Sequence, residues 1–522
     1  MSDHHDFVIV GSGFGGSVSA LRLSEKGYRV LVLEKGRRFR PEDFPKTNWD
    51  LRRWMWMPNL GLRGFFQMSF FEHVTILHGV GVGGGSLTYA NTLPIPSDSF
   101  FRADSWSHLA DWKSELEPHY RTAQRMLGAA RNPRWTTGDH VLAEIAQDIG
   151  RPDQHHLADV GVFFGEPGRR VPDPYFGGEG PERVGCIHCG ACMTGCRPGA
   201  KNTLDKNYLY LAEKRGVTVR AETEVVAIRP RAGGGYVLET RGSFGGGRQS
   251  FTADRVILAG GVLGTVPLLL EMQADAAGLP QLSRRLGERV RTNNEALIGV
   301  IAPDQQDLSE GVAITSILHT DEHSHIEPVR YGSGSGFFRL MALPHASAAT
   351  AAGRIVGAAR GFARHPLAWA RALTVRDWAA KSQILLYMRT LESTITLTRG
   401  RSAWTAFQRG LVTRLPEDAV APTAFMEEAN DLARRFAEKT GGVRMTLLTE
   451  TLLGVPSTAH ILGGATMGSS AEEGVISDNH EVFGYPGLYV IDGAAVSANP
   501  GVNPSLTITA LAERAMSKIP SR

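Results

Sequence analysis

The chain has 522 residues, 42% of them hydrophobic and 21% charged, and its 56 basic and 53 acidic residues leave a net charge of +3. This composition is typical of a globular protein with a substantial core, and it excludes a disordered chain and a coiled coil. So small a positive excess gives no support for nucleic-acid binding.

The N-terminal segment predicts a βαβ unit. Phe7–Val10 is an apolar strand, Gly11–Gly16 a glycine turn, Ser17–Lys26 a stretch with helical periodicity, and Tyr28–Leu33 a second strand. The residues before the first strand are few and polar, without the pattern of a signal peptide. We therefore expect a cytoplasmic protein.

The first glycine turn has the pattern G-x-G-x-x-G at Gly11, Gly13 and Gly16. The first glycine permits the turn, the second lets a pyrophosphate approach the backbone, and the third lets helix and strand pack closely. The following helix offers free N–H groups to phosphates. Glu34, at the end of the second strand, can accept hydrogen bonds from both ribose hydroxyls. Together these features predict a bound dinucleotide, NAD or FAD, rather than a simple tight turn.

A second glycine-rich run, Gly-Val-Gly-Val-Gly-Gly-Gly-Ser, spans residues 79–86. So many residues without side chains suggest that another flat part of a cofactor lies against the backbone. This favours FAD, with its ribityl chain and isoalloxazine, over NAD. The alternative is a glycine-rich surface loop.

All four cysteines lie close together, with the spacing C-x₂-C-x₂-C-x₃-C. No distant pair exists to form a disulfide framework. The spacing is that of ferredoxin-type iron–sulfur ligands, whereas zinc sites usually divide into two separated pairs. It predicts one [4Fe–4S] cluster on a loop at residues 185–199, with zinc or reduced cysteines as the alternatives. The predicted ligands are Cys186, Cys189, Cys192 and Cys196.

The middle of the chain mixes helices with short strands and contains no tandem repeat. His319, His323 and His325 have no matching carboxylates, so we interpret them as polar loop residues rather than a metal site. Residues 346–380 are rich in Ala and Arg at helical spacing, as in a helix that rests on an anionic membrane or one packed on the protein. The predicted helices are Asp104–Leu127, Tyr208–Arg215 and Thr423–Lys439, and the predicted strands are Val217–Ala221, Glu224–Ile228, Tyr236–Thr240, Arg255–Leu258, Ile384–Met388 and Ser393–Leu397.

The C-terminal segment returns to strand, turn and helix. The strand Gly487–Ile491 is followed by Asp492 and Gly493, and a helix begins at Pro504 with Asn503 before it as the cap. The N-terminus of this helix can face an electron-rich ring edge and stabilise negative charge on a reduced flavin.

Together these segments resemble the glucose–methanol–choline oxidoreductases and, within them, the cholesterol-oxidase-like branch. The resemblance covers most of the chain and rests on Phe7–Glu34, Gly81–Ser86, Glu224–Ile228, Ala259–Gly261 and His460–Glu513. It implies an α/β fold with a discontinuous FAD-binding Rossmann-like domain and an α+β substrate-binding domain with a large antiparallel sheet. The expected ranges are 1–100, 200–300 and 456–522 for the first domain, and 101–199 and 301–455 for the second.

The resemblance also implies which residues contact FAD. Val225 is expected near the adenine, and Asp492 and Gly493 near the ribityl chain. The full expected set is Gly11, Gly13, Phe14, Gly15, Gly16, Glu34, Gly81, Gly83, Gly84, Gly85, Ser86, Asn91, Val225, Asp492, Gly493, Asn503 and Pro504.

In that family a hydride leaves an alcohol carbon for the flavin, while a His and a second His or Asn hold the hydroxyl. The segment His460–Gly464 resembles the family's His-Pro-Leu-Gly-Gly with Ile461 in place of Pro, and Asn503 matches the cholesterol-oxidase-type Asn. We expect His460 to take the hydroxyl proton and Asn503 to orient the oxygen. The alternatives are a structural His and an Asn that only caps a helix.

Glu327 is the third candidate catalytic residue. It resembles the carboxylate that moves a proton during double-bond isomerisation in sterol oxidases. A carboxyl group beside an apolar cavity would have a raised pKa, which suits this task. The alternative is an ion pair with Arg330 on a loop.

These observations predict an FAD-dependent enzyme that oxidises a bulky lipophilic secondary alcohol, with a sterol 3β-hydroxyl as the leading candidate. The predicted cluster would pass electrons to an external acceptor, a protein or a quinone-like molecule, and residues 346–380 would give peripheral membrane contact. One alternative is a reductase that runs electrons from a partner to a ketone or alkene. Another is a redox-responsive binding protein.

Overall fold

The computed structural model describes residues 4–348, 350–417 and 419–522. The start of the predicted range 1–100 and residue 349 of the segment 346–380 therefore lie outside the described residues. Two seven-stranded sheets form the framework of the described chain. In that part of the chain, no helix has the length and apolar character needed to cross a bilayer.

The first sheet is the Rossmann-like one. Its central strand, His4–Val10, runs parallel to Val30–Leu33 on one side and to Gln249–Leu258 on the other. Gln249–Leu258 pairs twice on its far edge, first antiparallel with Tyr236–Gly242 and then parallel with Leu488–Val490. Segments far apart in sequence thus share one sheet. The remaining strands are Thr218–Arg220 at one edge and Thr223–Pro230 at the other.

The second sheet is antiparallel throughout. Side chains alternate between its faces, as the pleat requires. Ile298, Ile326 and Tyr387 pack on one face against the helices Thr137–Asp148 and Glu427–Thr440. In spatial order the strands are Ala342–Pro344, Val443–Leu447, Glu295–Ile301, Ser382–Arg389, Ser324–Val329, Ser316–His319 and His155–Leu157. The α/β fold and the large antiparallel sheet are therefore confirmed.

His319 and His325 belong to this second sheet. His319 ends one strand and His325 lies within its neighbour, directly opposite. The loop interpretation of these two histidines was wrong, because single polar residues interrupt the apolar alternation that would have indicated strands.

Helices cover the first sheet. Ser505–Lys518 packs against Phe14–Glu25 and Trp112–Leu127. The helix predicted from Asp104 begins only at Trp112, because Asp111 accepts a hydrogen bond from the N–H of Ser114 and the segment before it folds into turns. The other helices are Leu51–Trp54, Asp98–Phe101, Tyr208–Lys214, Val262–Ala274, Ala351–Arg364 and Pro366–Thr374, with a π-helix at Thr449–Leu453.

Smaller sheets complete the fold around the second glycine run. Phe66–Phe70 and Thr75–Gly79 form a hairpin that leads into the run, and Ser457–Thr458 pairs with Thr75–Gly79 in parallel. His460 lies two residues after the strand Ser457–Thr458. The other short strands are Trp56–Met57, Leu62–Arg63, Ala130–Arg131, Asp159–Val160, Arg170–Val171, Arg183–Val184, Val290–Arg291, Thr394–Gly400 and Gly410–Arg414.

Candidate active site

A cavity of about 690 Å³ runs from the first glycine turn to the second sheet. Glu34 and Val225 line it beside the Rossmann-like sheet, and His460 and Asn503 line it further along. Beyond these two residues its wall is mainly apolar. One continuous space therefore joins the predicted nucleotide site to the predicted catalytic side chains.

The glycine turns leave room for a pyrophosphate. A Cβ built on Gly13 would come no closer than 3.9 Å to any protein atom, so this position is open. By contrast, a Cβ on Gly15 would lie 1.7 Å from the carbonyl oxygen of Ile491, and one on Gly84 would lie 2.7 Å from the Cα of Gly13. The two turns are thus packed together, and the backbone of Gly13 is free on the side that a cofactor would occupy.

We expect the Gly13→Ala protein to fold normally but to hold FAD weakly. The added methyl meets no protein atom, whereas it occupies space at the pyrophosphate, at a cost of about 1–3 kcal/mol, or roughly 5- to 150-fold in affinity. The ratio of flavin to protein absorbance after gel filtration measures this loss.

Gly15→Ala is the matched control for that experiment. Its methyl overlaps the backbone of Ile491, so it should lower the melting temperature of the apoprotein, which Gly13→Ala should leave nearly unchanged. A Gly13→Ala protein that retains FAD as tightly as the wild type would show that the pyrophosphate binds elsewhere.

Glu34 is held rigidly at the nucleotide end of the cavity. One carboxylate oxygen accepts hydrogen bonds from the backbone N–H and hydroxyl of Ser12, at 3.0 and 2.8 Å, and the other accepts from the N–H of Gly36 at 2.8 Å. These bonds fix the carboxylate at the strand end, where its remaining lone pairs can receive ribose hydroxyls.

Asp492 connects its own loop to the start of the helix Val262–Ala274 at the middle of the cavity. Its carboxylate accepts hydrogen bonds from the N–H groups of Gly261 and Ala494, both at 2.8 Å, and from the hydroxyl of Thr265 at 2.5 Å. Burial raises the pKa of this carboxyl group to about 6. The residue therefore fixes the loop that follows the last strand of the Rossmann-like sheet.

His460 is paired with a buried carboxylate that the sequence analysis did not identify. Glu295 Oε2 lies 2.6 Å from His460 Nδ1, and Glu295 Oε1 accepts a hydrogen bond from the N–H of Ala459 at 2.5 Å. Burial opposes a charged imidazole, but the charge and hydrogen bond of Glu295 outweigh it, so the pKa of His460 is raised. A proton on Nδ1 leaves Nε2 as the nitrogen that can accept a proton from a ligand.

Asn503 is oriented by the second buried carboxylate. Its amide Nδ2 donates to Glu327 Oε2 at 3.3 Å, while its Oδ1 is buried without a hydrogen-bond partner. An unpartnered buried acceptor is costly unless a ligand satisfies it. The Asn503 amide therefore has an acceptor, Oδ1, and the second N–H of Nδ2 available for a ligand.

Glu327 is fully buried and lies behind Asn503. Its second oxygen is 3.2 Å from His325 Nε2. Arg330 hydrogen-bonds instead to Thr136, Thr315 and the carbonyl of Glu310. Glu327 thus contacts Asn503 and His325 and does not line the cavity wall.

The far part of the cavity is built for an apolar ligand. Its wall comes from the cavity-facing side chains of the second sheet and from aromatic residues that pack beside it. These residues are Phe66, Leu77, Leu297, Val329, Tyr331, Phe338, Trp378, Ile384, Leu386, Met445 and Leu447.

The predicted FAD contacts divide into two groups in the structure. Those that line the cavity are Gly11, Gly13, Phe14, Gly15, Glu34, Gly84, Gly85, Val225, Asp492, Gly493, Asn503 and Pro504. Those that lie behind the wall are Gly16, Gly81, Gly83, Ser86 and Asn91. The open backbone at Gly13, the fixed carboxylate at Glu34 and the length of the space fit FAD.

The cysteine loop does not support the predicted [4Fe–4S] cluster. Cys186 and Cys192 are buried, Cys189 is exposed and Cys196 is half-buried, and all four are free thiols. Burial raises the pKa of Cys186 to about 12 and that of Cys192 to about 11. Within the described ranges, no three or more His, Cys, Asp or Glu side chains are grouped to hold a metal ion.

Glu295 carried one signal that the sequence analysis passed over. It is a lone acid at the start of the apolar strand Glu295–Ile301, and it is only 2% exposed. A buried charge at a strand end needs a partner, and the partner is commonly functional. That partner is His460, which lies 165 positions away in the sequence, so no local pattern reveals it.

Comparison with known proteins shows which family models and relatives this chain matches. Two family models described as GMC oxidoreductase match residues 182–294 and 372–512, and an NAD(P)-binding Rossmann-like model matches residues 9–75. A cholesterol oxidase of Mycobacterium tuberculosis is 47% identical across all of this chain and 92% of its own length. A cholesterol oxidase of Acinetobacter baumannii is 44% identical across 99% and 95%.

Solved structures agree at the level of the fold. A pyridoxine 4-oxidase from Mesorbium loti aligns over 98% of both chains with a TM-score of 0.62 and 15% identity. A formate oxidase from Aspergillus oryzae aligns over 99% of this chain and 98% of its own, with a TM-score of 0.64 and 14% identity. At such low identity these two likenesses concern architecture alone.

Proposed function

This chain belongs to the GMC oxidoreductase family and is an FAD-dependent alcohol oxidoreductase, and we propose that its substrate is the 3β-hydroxyl group of a sterol. The observation that carries the proposal is the position of His460 and Asn503 at the border between the nucleotide end and the apolar end of one cavity. The likeness to two cholesterol oxidases supports the same substrate class.

The protein side chains divide the work on the hydroxyl group. His460 Nε2 accepts the hydroxyl proton, and Glu295 stabilises the imidazolium that forms. The second N–H of Asn503 Nδ2 donates to the hydroxyl oxygen and holds it in place, while Glu327 accepts the first N–H and fixes the amide. As the proton leaves, electron density rises on the carbinol carbon, which eases departure of its hydride. FAD, when bound, would supply the hydride acceptor.

Glu327 has a second proposed task, the proton shift of a double-bond isomerisation after oxidation. It reaches the substrate region only beside Asn503, since it does not line the cavity wall. The electrons are proposed to leave for an external acceptor. An iron–sulfur relay is not part of this proposal, because the four cysteines are not arranged as a metal site.

The experiment that tests the substrate class is anaerobic mixing of the FAD-loaded protein with a 3β-hydroxysterol in detergent, followed by flavin absorbance. We expect rapid bleaching, and a much slower response to the 3α epimer, whose hydroxyl is directed away from His460 and Asn503. Bleaching by short aliphatic alcohols but not by the sterol would contradict the substrate class. Absence of bleaching by every alcohol would favour a reductase or a binding protein.

Membrane contact through residues 346–380 is a further part of the proposal. The helices Ala351–Arg364 and Pro366–Thr374 expose apolar side chains, and no acidic residue occurs between 346 and 376. The first helix packs on the strand Ala342–Pro344, whose Ala342 lines the cavity. The exposed apolar residues are Leu340, Ile355, Val356, Phe362, Leu367 and Leu373, and the exposed basic residues are Arg360, Arg364, Arg371 and Arg376.

We expect the protein to co-sediment with anionic phosphatidylglycerol vesicles and to bind neutral vesicles weakly. Replacement of Leu367 and Ile355 by Glu should abolish co-sedimentation, because it places charge on the apolar face. The same variant should keep its activity on detergent-dispersed sterol. Equal co-sedimentation of wild type and variant would rule out contact through these helices.

A further inference from the structure

A row of side chains, all but one of them titratable, crosses the second sheet on its cavity-facing side. Residues directly opposite one another in neighbouring strands lie on the same face of a sheet. Glu295 lies opposite Met388, Met388 opposite His325, and His325 opposite His319. The row therefore leads from the partner of His460 toward the edge strand His155–Leu157.

His156 extends this row on the edge strand. It lies opposite Ile317, which is two residues from His319 and so shares its face. The rings of His156 and His319 have centroids 5.4 Å apart, and those of His319 and His325 are 5.7 Å apart. At these separations a turn of the ring or one bridging water connects neighbouring nitrogens.

Burial decreases along the row. Glu327 is fully buried and is hydrogen-bonded to His325, which is 3% exposed. His319 and His156 are half-buried and lie near the surface. The row thus joins a buried carboxyl group to solvent. It ends at the edge of the sheet opposite the strand Ala342–Pro344.

Burial, more than the charges around the row, keeps the His319 imidazole neutral. Burial, together with the neighbouring His325, His156 and Arg151, lowers the pKa of His319 to about 4. Two further charged residues lie in the segments that adjoin the row: Arg389 in the neighbouring strand and Asp321 in the turn before Ser324. Asp139 and His140 influence the pKa of His155, which lies on the other face of the sheet. A neutral imidazole can accept a proton at one nitrogen and donate from the other.

We propose that His325, His319 and His156 form a proton-exchange path that connects Glu327 to solvent. First, a proton on the Glu327 carboxyl group passes to His325 Nε2, and the other nitrogen of the His325 ring releases a proton to His319. His319 then passes a proton through His156 to water. No electrons move, and each ring regains its proton count. The inference rests on the proposed function for its purpose: a sterol fills the cavity, so Glu327 needs a different route to solvent.

The test is the exchange of the His325 ring N–H with water in the resting FAD-loaded protein, measured by NMR with ¹⁵N-labelled histidine. In His319→Phe, which keeps an aromatic ring, we expect exchange to slow by on the order of 100-fold, as for loss of a positioned proton-transfer group. Added imidazole should restore part of the rate. His156→Phe should slow exchange in the same direction and serves if the first variant does not fold.

His155→Phe is the matched control, because His155 lies on the same edge strand but faces Asp139 on the other side of the sheet. We expect its exchange rate to equal that of the wild type. Unchanged exchange in both His319→Phe and His156→Phe, or equal slowing in His155→Phe, would overturn the path. The measurement needs no sterol, so it stands apart from failure of the proposed substrate.

Discussion

Replacement of His460 by Ala should slow flavin reduction by the alcohol about 100- to 10,000-fold, the range that a positioned general base contributes. The reason is that His460 Nε2 is the nitrogen left free to take the hydroxyl proton, since Nδ1 is bonded to Glu295 at 2.6 Å. Anaerobic stopped-flow measurement of flavin bleaching gives the rate directly.

The bound flavin must be shown to survive the His460→Ala change. FAD content should stay close to that of the wild type, because His460 is at the cavity wall, whereas the melting temperature should fall, because the buried Glu295 carboxylate loses its partner. The exposed His108 provides a control substitution that should leave the rate unaltered. A His460→Ala protein that bleaches at the wild-type rate would remove the imidazole from the chemistry.

Glu295→Gln should change both the rate and its pH dependence. His460 works as a base only when Nε2 is unprotonated, so the rate rises with pH through the His460 pKa. Burial lowers that pKa and the carboxylate of Glu295 more than offsets it. The neutral amide of the Glu295→Gln variant no longer raises the pKa of His460, so the acidic limb of the pH–rate profile moves to lower pH. The plateau falls by about tenfold or more, since a charge-assisted hydrogen bond of about 1.5–3 kcal/mol is lost.

Glu450→Gln is the matched control for Glu295→Gln. Glu450 is equally buried, in the π-helix Thr449–Leu453, and burial raises its pKa to about 8. Below that pH the residue is already neutral, so the amide removes no charge and should leave the acidic limb in place. An acidic limb that stays fixed in Glu295→Gln, or moves equally in both variants, would show that Glu295 does not set the titration of His460.

The ends of the chain could be predicted well from sequence because local rules decide them. The first strand, glycine turn and helix satisfy a short motif in which each glycine has one task. The structure places Gly11 at a positive φ of 100° and Gly16 against the carbonyl of Gly11. The final helix begins one residue after Pro504, close to the predicted start.

The residues that support the active site could not be predicted in the same way. Glu295 and Glu327 become neighbours of His460 and Asn503 only when the second sheet forms, across more than 160 positions of sequence. The cysteine spacing alone does not determine a cluster, and the four cysteines are not grouped as a metal site in the structure. His319 and His325 were assigned to a loop because polar residues interrupt the apolar alternation of their strands.

A crystal structure of the FAD-loaded protein with a bound 3β-hydroxysterol would show whether His460 and Asn503 meet the reacting hydroxyl group. We expect the flavin ring beside His460 and Asn503, with the sterol hydroxyl oxygen within hydrogen-bond distance of His460 Nε2 and Asn503 Nδ2 and the sterol rings in the apolar part of the cavity. A flavin ring remote from both side chains, or a sterol bound outside this cavity, would contradict this expectation.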